Sequence, residues 1–462
     1  MTAPRTSAGV LPLIGDTPLV QVTHLDTGPC ELWLKLESSN PGGSIKDRCG
    51  RSMIDAAEKS GELKPGGHIV EATAGNTGIG LALVAALRGY KLTLVLPDTM
   101  SQEKVLHLKA LGAQCVLTRS DVGKGHPQHY QSIAPRIARE TGAWYVNQCE
   151  NPANPKAHED TTGPEIWAQM GQRLDAVVCG VGSGGTITGL SRFFAKVAPG
   201  VEMILADPVG SVIADYVRTG KVGKAGSWLV EGIGEDFIPP VCDLSRVKQA
   251  YSISDNEAFG VVRELLRAEG ILAGTSSGVL IAAALRWCRA QTEPRRVVTL
   301  VCDSGGKYLS KAYNDTWMDE HGLTNQRPAT GDLRDLVARR ARDGHVIHVG
   351  PEDTLTVAYA RMRASDVSQL PVLDGKKLVG IIDESDLLLA ALGDAARGAA
   401  SFERPVYEVM SLQVETLPST AGVHQLLPLF DRGMVGIVVD GDELLGLVTR
   451  VDLLNYLRRR AR

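Results

Sequence analysis

Residues 39–48 read Ser-Asn-Pro-Gly-Gly-Ser-Ile-Lys-Asp-Arg, a turn-forming stretch that leads directly into a helical pattern. After the turn, apolar residues at positions 45, 49, 53, 54 and 57 fall on one helical face. The sequence therefore predicts that a loop delivers Lys46 to the first turn of a helix. The N-terminus of a helix is already partly positive, so a cation is disfavoured there, and a lysine held neutral is a nucleophile toward aldehydes. A surface lysine at a helix start is the alternative, and this stretch alone leaves both interpretations open.

Two further turns each follow an apolar run and precede a helical pattern. Residues 73–78 read Thr-Ala-Gly-Asn-Thr-Gly, and residues 182–186 read Gly-Ser-Gly-Gly-Thr after a buried-strand pattern at 176–179. Glycine-rich turns at a helix N-terminus bind phosphate through bare N–H groups and the helix dipole. The 182–186 turn lacks the glycine spacing of a dinucleotide site and the Gly-Lys-Ser/Thr of a P-loop. It suits a single phosphate monoester, and together with a reactive lysine it suggests pyridoxal phosphate.

Between residues 69 and 310, apolar runs of strand length alternate with helical patterns. Strands are predicted at 92–96, 115–117, 203–206 and 297–301, and helices at 103–111, 258–269 and 279–289. Such alternation predicts an α/β fold with a mostly parallel sheet covered by helices. Ligands of such sheets bind at the carboxyl ends of strands, where Asn76 and the 182–186 turn are expected.

The composition is that of an ordinary soluble enzyme. The chain has 462 residues, enough for roughly three domains, and 49 basic against 53 acidic residues give a net charge of −4. Neither nucleic acid nor a membrane is therefore an expected partner, and the N-terminus lacks an apolar signal core, so we expect a cytoplasmic location. The eight cysteines include no Cys-x-x-Cys spacing. Cys49, Cys179, Cys288 and Cys302 lie in apolar runs and are predicted to be small buried residues, not metal ligands or disulfides.

After Trp317 the sequence becomes polar and loses its periodicity, and an internal repeat follows. Residues 379–388 echo residues 445–454 at an offset of 66, since Gly380 corresponds to Gly446. Each repeat places a β pair, at 369–373 and 378–382 in the first, before a helix. We expect a first domain over 1–320, a polar linker over 321–333, and two packed repeats over 334–398 and 399–462.

The order of these elements resembles the fold-type II pyridoxal-phosphate enzymes, the cysteine synthase and cystathionine β-synthase family, over residues 10 to about 320. Residues 14–19, Ile-Gly-Asp-Thr-Pro-Leu, resemble the opening motif of that family. The resemblance implies that Lys46 forms the Schiff base with the cofactor and that Asn76 binds its ring hydroxyl. It also implies that Ser276, in the Gly-Thr-Ser-Ser-Gly stretch 274–278, faces the pyridine nitrogen. The implied phosphate site comprises Gly182, Ser183, Gly184, Gly185 and Thr186.

The same resemblance implies a substrate site. The substrate carboxylate is expected in the turn formed by Thr73, Ala74, Gly75 and Thr77, and Gly232 fits a further family stretch at 231–234. Ala74 stands where the family mostly has serine, and Glu159 stands where its synthases often have tyrosine. Glu159 is interpreted either as a contact to the second substrate or as an exposed loop carboxylate, and His158 as a structural hydrogen-bonding residue.

The repeat resembles the paired cystathionine-β-synthase (CBS) domains known as a Bateman module. In that family a hydroxyl residue reaches a nucleotide phosphate and an aspartate three residues later binds the ribose, and Thr449 and Asp452 keep this pattern. In the first repeat Asp383 replaces the hydroxyl residue and only Asp386 remains, so we expect at most one adenosyl site. A purely structural pair is the alternative.

A β-replacement core followed by a Bateman pair is similar to the haem-free bacterial members of the cystathionine β-synthase branch, since only 13 residues precede Ile14. The resemblance implies a pyridoxal-phosphate-dependent lyase without haem or metal. It would replace the serine hydroxyl by homocysteine to give cystathionine, with possible side reactions that produce hydrogen sulfide, as a homodimer or homotetramer. The alternatives are an O-acetylserine-dependent cysteine or cystathionine synthase, a serine or threonine dehydratase, and a nucleotide sensor on an inactive scaffold.

Overall fold

The computed structural model describes residues 7–73, 75–123, 125–324, 330–337, 346–393, 402–441 and 443–460. Ala74, one of the predicted substrate residues, lies outside the described residues, as do residues 325–329 of the predicted linker. The chain divides into two compact units, Met1–Asn314 and Asp315–Arg462. Among the described helices, none is both long and apolar enough to cross a membrane.

The first unit alternates strands with helices through most of its length. Its described strands are β1 (Leu19–Gln21), β2 (Glu31–Leu36), β3 (His68–Ala72), β4 (Lys91–Pro97), β5 (Gln114–Thr118), β6 (Trp144–Tyr145), β7 (Ala176–Cys179), β8 (Glu202–Pro208), β9 (Val247–Ile253) and β10 (Arg296–Val301). Its described α-helices are α1 (Lys46–Ser60), α2 (Asn76–Arg88), α3 (Gln102–Ala110), α4 (Tyr130–Thr141), α5 (Ala153–Ala157), α6 (Gly163–Gln169), α7 (Gly185–Val197), α8 (Ile213–Thr219), α9 (Asp255–Glu269) and α10 (Thr275–Arg289). A π-helical turn, His158–Thr162, joins α5 to α6.

These strands form two sheets. One has the order β1-β2-β10-β7-β8-β9, and only its β1–β2 pair is antiparallel; the other, β5-β4-β3-β6, is parallel throughout. All four residues of β7, Ala-Val-Val-Cys, are fully buried, as expected for a strand covered on both faces. The predicted α/β fold with mostly parallel sheets is confirmed, and the strand predicted at 176–179 is β7 itself.

Two glycines set the position of the helix that carries Lys46. α1 and α2 cross where Gly50 meets Gly80, and a Cβ built on Gly50 would lie 2.5 Å from the carbonyl carbon of Gly80. A Cβ on Gly80 would in turn overlap the carbonyl oxygen of Lys46. Only glycine permits so close an approach. The start of α1, which carries Lys46, is therefore held against the first turns of α2, which begins at Asn76.

The second unit is built around one mixed sheet. Its described strands are β11 (Gln369–Asp374), β12 (Lys377–Asp383), β13 (Thr416–Pro418), β14 (Gly436–Asp440) and β15 (Glu443–Val448), in the order β11-β12-β15-β14-β13. Its described α-helices are α11 (Asp315–Glu320), α12 (Leu355–Ser365), α13 (Glu384–Gly393), α14 (Leu427–Asp431) and α15 (Arg450–Arg460). Each repeat supplies a β-hairpin followed by a helix, and the two repeats join where Lys377 of β12 pairs with Glu443 of β15. The predicted α+β tandem of repeats is confirmed.

Candidate active site

Lys46 is the first residue of α1, as the turn-to-helix pattern predicted. Its side chain is half-buried and lines a cavity together with every residue of the 182–186 turn. Its backbone N–H donates to Oγ of Ser44 at 3.2 Å. Within the part of the chain that the structure describes, Nζ of Lys46 makes no hydrogen bond and no ion pair. The structure therefore presents an unpaired amine to the cavity.

The 182–186 turn presents backbone rather than side chains to this cavity. α7 begins at Gly185, and Gly184 before it has φ +85°, a conformation that favours glycine. A Cβ on Gly182 would lie 2.5 Å from the carbonyl oxygen of Gly232, and one on Gly185 would overlap Oδ1 of Asn154. The turn therefore tolerates no added side chain at these glycines, and its N–H groups and the α7 dipole create an anion site. An amine and an anion site in one cavity fit pyridoxal phosphate.

His158 is fully buried and contacts the last residue of the 182–186 turn. Its Nε2 lies 3.3 Å from Oγ1 of Thr186 and 3.1 Å from Sγ of Cys49, and its Nδ1 lies 3.0 Å from Oγ1 of Thr162. Burial, and then the charges of Lys46 and Arg48, hold the pKa of His158 well below its usual value. A neutral imidazole with three partners has the structural hydrogen-bonding role that the sequence suggested.

Asn76 is the first residue of α2 and lies in a polar network. Its Nδ2 donates to Oδ2 of Asp303 at 2.7 Å, and its Oδ1 accepts from Nζ of Lys307 at 2.9 Å. Lys307 also donates to the carbonyl oxygens of Gly42 and Gly43, in the loop that delivers Lys46. The network therefore ties the 73–77 turn to the lysine loop. Sequence reasoning missed Lys307, because no local pattern distinguishes it from a surface lysine.

Ser276 lies at the start of α10 and is almost fully buried, and the next residue, Ser277, accepts from N–H of Cys302 at 3.0 Å. Cys302 lines the same cavity as Lys46. The prediction that Cys302 is a buried apolar filler is wrong, because it is partly exposed where β10 ends at the cavity, whereas Cys49, Cys179 and Cys288 are buried. Burial within the protein nevertheless raises the pKa of the Cys302 thiol to about 12.

The predicted substrate turn contacts a residue that the sequence did not identify. Oγ1 of Thr73 accepts from N–H of Gly75 at 3.1 Å, and Oγ1 of Thr77 donates to Oε1 of Gln148 at 2.6 Å. Gln148 also donates from Nε2 to the carbonyl oxygen of Ala72 at 3.1 Å. Gln148 follows β6 in an irregular segment, where neither periodicity nor spacing could have indicated it.

Glu159 is not brought to this cavity. It lies in the π-helical turn, and its Oε1 pairs with Nζ of Lys196 on α7. Lys196 is exposed, so this ion pair lies toward the surface. Glu159 is therefore a half-buried carboxylate paired with an exposed lysine, and its role toward a second substrate stays a prediction.

The second unit has a cavity of its own, which is open to solvent. Thr449 and Asp452 line it, together with Asp366, Ser368 and Gln369 from the first repeat. Oγ1 of Thr449 donates to Oδ2 of Asp452 at 2.6 Å. The described lining residues include neither Asp383 nor Asp386, whose carboxylates instead accept each other's backbone N–H groups at 2.9 and 3.0 Å. Among the described residues, the structure thus brings Thr449 and Asp452, but not their counterparts, to this cavity.

No cluster of three or more potential metal ligands from His, Cys, Asp and Glu occurs among the described residues. All eight cysteines are free thiols. The polar groups among the described lining residues of the first unit's cavity are the amine of Lys46, backbone groups, the hydroxyls of Ser183 and Thr186, and the thiol of Cys302.

Residues 10–303 match the family described as "Pyridoxal-phosphate dependent enzyme", and residues 334–393 and 406–459 match the CBS domain. A cystathionine beta-synthase of Dictyostelium discoideum is 34% identical over 466 residues, which cover 97% of this chain and 92% of the relative. A cystathionine beta-synthase of Saccharomyces cerevisiae is 32% identical over 495 residues and covers 97% of both chains.

Two solved structures each resemble about two thirds of this chain. A hydrogen sulfide-producing enzyme from Fusobacterium nucleatum is 36% identical, with a TM-score of 0.62, and the match covers 66% of this chain and all of that one. An O-ureido-L-serine synthase is 34% identical, with a TM-score of 0.63, over 70% of this chain and 98% of that one. This chain therefore belongs to the pyridoxal-phosphate dependent enzyme family, and a pair of CBS domains follows its catalytic region.

Proposed function

We propose that this chain is a lyase that replaces the β-hydroxyl of serine by the thiol of homocysteine and releases cystathionine. The observation that carries the proposal is the unpaired amine of Lys46 in one cavity with the anion site at residues 182–186. The choice of serine and homocysteine rests on the similarity to cystathionine beta-synthases along the whole chain, including the CBS pair. Release of hydrogen sulfide is an expected side reaction, given the sulfide-producing structural relative.

In this proposal Lys46 would hold the cofactor through its amine, be released when the amine of the substrate takes its place, and then move protons. When bound, pyridoxal phosphate supplies an electron sink that acidifies the proton on the substrate's α-carbon. Nζ of Lys46 takes that proton and later delivers a proton to the departing hydroxyl. Both transfers need an amine without a competing partner, which is the state of Lys46 among the described residues.

The remaining cofactor residues orient the group. The N–H groups of Gly182, Ser183, Gly184, Gly185 and Thr186 bind its phosphate at the start of α7. Asn76, fixed by Asp303 and Lys307, is assigned to the ring hydroxyl. Ser276 is assigned to the ring nitrogen, to which a hydroxyl can hydrogen-bond without transferring a full proton, as a carboxylic acid would. Electron density then stays nearer the α-carbon, which favours loss of the β-hydroxyl.

The substrate carboxylate is assigned to the turn of Thr73, Ala74, Gly75 and Thr77. Three features support this assignment: α2 begins at Asn76, Gly75 has φ +129°, and Thr77 is held by Gln148. A carboxylate at the N-terminus of α2 is stabilised by unpaired N–H groups and by the dipole. Gly232, packed against Gly182, is assigned to the same cleft.

Steady-state kinetics with matched substrate pairs test the proposal. Serine plus homocysteine should give cystathionine at a kcat/KM at least about tenfold above that of O-acetylserine plus sulfide, a difference of about 1.4 kcal/mol in transition-state binding. Faster turnover with O-acetylserine would establish the alternative synthase activity. A relative named cysteine synthase 1, which is 39% identical over 69% of this chain, supports this alternative. Release of pyruvate without a thiol product would indicate a dehydratase.

For the second unit we propose a cationic adenosyl ligand. Glu320, Asp366 and Asp452 line the cavity, and the described lining residues include no lysine or arginine. An acidic lining attracts a sulfonium and an amino group and repels a polyphosphate. S-adenosylmethionine should therefore bind more tightly than AMP or ATP in calorimetric titrations. Tighter binding of ATP, or heat from none of the three, would overturn this assignment.

Two broader expectations stay proposals. The free thiols of all eight cysteines fit a reducing compartment, and we propose a cytoplasmic location. We also propose a homodimer or homotetramer, which light scattering of the purified holoenzyme would test.

A further inference from the structure

Glu71 is a fully buried acid that the proposed chemistry does not use. It is the fourth residue of β3 (His68–Ala72), two positions before Thr73, and is 1% exposed. A charged residue so deep in a parallel sheet needs hydrogen-bonding partners, because its desolvation is otherwise costly. Its position just before the substrate turn suggests a connection with that turn.

The partners of Glu71 lie where a neighbouring strand ends. β6 runs parallel to β3, and the backbone pairing reaches N–H of Val146, which donates to the carbonyl oxygen of Val70 at 3.1 Å. Beyond that point the chain leaves the sheet. The carboxyl group of Glu71 then accepts the next two N–H groups, from Asn147 at 2.8 Å and from Gln148 at 3.3 Å. A side chain thus continues the hydrogen bonding after the strand has ended.

The backbone between these two bonds turns sharply. Asn147 has φ +51°, a left-handed conformation that asparagine adopts more readily than most non-glycine residues. Because the chain reverses there, the Gln148 side chain points back toward β3. Its Nε2 meets the carbonyl oxygen of Ala72 and its Oε1 meets Oγ1 of Thr77. The two hydrogen bonds to Glu71 therefore fix the backbone turn that orients the side chain of Gln148.

The same turn also reaches the phosphate site. Nδ2 of Asn154 donates to the carbonyl oxygen of Gln148 at 2.8 Å and to Oγ of Ser183 at 2.9 Å. A displacement of the backbone at Gln148 would consequently shift both the substrate turn and the 182–186 turn. Burial raises the pKa of Glu71 to about 8, and in either protonation state its Oε2 can accept from Asn147.

We propose that Glu71 is a positioning residue for the amino-acid substrate, because its carboxyl group fixes the backbone at Asn147 and Gln148 so that the Gln148 amide holds Thr77 in the substrate turn. The inference rests on the proposed function of that turn. Glu71 does not touch the reacting atoms and acts only through Gln148.

The variant Glu71→Gln tests this in the full-length holoenzyme. Its amide oxygen can accept from Asn147, but its NH2 group then faces the N–H of Gln148, so that bond is lost. The expected result is a KM for serine raised about tenfold, with kcat changed less than about threefold and KM for homocysteine unchanged. Titration with the unreactive amino acid glycine, followed by the visible absorption of the holoenzyme, should show the same weakening. Hydrogen exchange at residues 146–152 should become faster.

A double-mutant cycle separates this role from a general loss of packing. In a Gln148→Ala background, Glu71→Gln should add little to the rise in KM, because the residue it acts through is gone. Additive effects, or an unchanged KM for serine in Glu71→Gln alone, would overturn the proposal. Glu71→Asp, whose carboxylate is one methylene shorter, replaces Glu71→Gln if the amide variant does not fold.

A matched control is Asp207→Asn. Asp207 is likewise fully buried and accepts a backbone N–H, that of Ala214 at 2.8 Å, but within the described residues it contacts neither the substrate turn nor the 147–148 segment. It should alter stability without raising the KM for serine. If the wild-type enzyme forms no product from serine and homocysteine, the proposed function fails. If wild type is active and the Glu71 variants keep its KM, only the role of Glu71 fails.

Discussion

The side-chain amide of Asn76 donates to Oδ2 of Asp303 at 2.7 Å, although 227 residues separate the two in the chain. The same carboxylate oxygen accepts from the hydroxyl of Tyr308 at 2.7 Å. Oδ1 of Asp303 has no partner among the described residues and faces Gly274. One buried carboxylate thus orients Asn76, which is assigned to the cofactor ring, and packs against Gly274, the residue before α10.

Replacing Asp303 by asparagine should destabilise the protein. Turned one way, the NH2 group meets the donors Asn76 and Tyr308, and turned the other way it lies where Oδ1 has no partner; either arrangement costs about 1–3 kcal/mol of unfolding free energy. Cofactor affinity should fall as well, because Asn76 loses its orientation. Urea unfolding and cofactor titration measure the two effects. The exposed Asp121→Asn is the control and should shift stability by less than about 0.5 kcal/mol. Equal unfolding free energies and equal cofactor affinities in the two variants would show that Asp303 neither stabilises the fold nor orients Asn76.

Lys46→Ala should abolish β-replacement and the visible absorption of the protein-bound cofactor, because no other amine lines the cavity among its described lining residues. Borohydride reduction of the wild-type holoenzyme, followed by peptide mapping, should place the cofactor on Lys46. The control is Lys59→Ala, an exposed lysine on the same helix, which should keep both properties. Retained synthesis in Lys46→Ala would refute the assignment.

Gly182→Ala should weaken cofactor binding at least tenfold, a loss of about 1.4 kcal/mol, because its methyl group would lie 2.5 Å from the backbone oxygen of Gly232. Backbone must move to relieve that overlap, and the N–H groups of the turn would move with it. Gly200→Ala is a suitable control, since an added Cβ there has no neighbour within 4 Å. Equilibrium dialysis of cofactor against both variants and wild type would measure the effect.

Acid should unfold the first unit through Glu165. Burial opposes its ionisation, but hydrogen bonds and charge from Arg48 and Lys35 outweigh burial and lower the pKa of Glu165 to about 2. A carboxyl whose folded-state pKa lies below its unfolded value of about 4.5 stabilises the fold above pH 4.5 and loses that contribution as pH falls toward 2. The loss is about 3 kcal/mol.

Glu165→Gln should remove this contribution, so that its unfolding free energy varies less between pH 4.5 and 3 than that of wild type. At pH 7 it should be the less stable protein, because Arg48 and Lys35 lose a charged partner. Denaturant midpoints across that pH range provide the measurement. Parallel curves for the two proteins would show that Glu165 does not govern the acid transition.

Asp452→Ala should weaken the binding of S-adenosylmethionine at least tenfold in calorimetric titrations, because it removes both a lining carboxylate and the hydrogen bond to Thr449. Asp386→Ala, the counterpart in the first repeat, is the matched control and should leave binding unchanged. Equal losses in both variants would place the ligand elsewhere in the second unit.

The sequence predicted what local patterns encode. A short apolar run followed by turn residues, such as the four residues of β7, favours a strand covered on both faces, and Gly-rich turns before helices were found where strands end. The offset of 66 residues was enough to recognise two copies of one hairpin-and-helix unit.

Contacts between distant segments could not be predicted in this way. Asp303, Lys307 and Gln148 matter because the fold brings them to Asn76 and Thr77, and no spacing or periodicity indicates such a meeting. Glu159 shows the converse, since its position in a matching stretch suggested the cleft but its carboxylate pairs with Lys196. Cys302 was misjudged because a residue at the end of an apolar run can face a cavity instead of a packed core.

The pairing of β12 with β15 has a consequence for how the chain can be shortened. Because the two repeats join in one sheet at the pair Lys377–Glu443, a truncation between them would expose this end of β12 as a sheet edge. Such edges recruit other strands and promote aggregation. A shortened enzyme that stays monodisperse is therefore expected only if the cut precedes both repeats, so the two repeats should be retained or removed together.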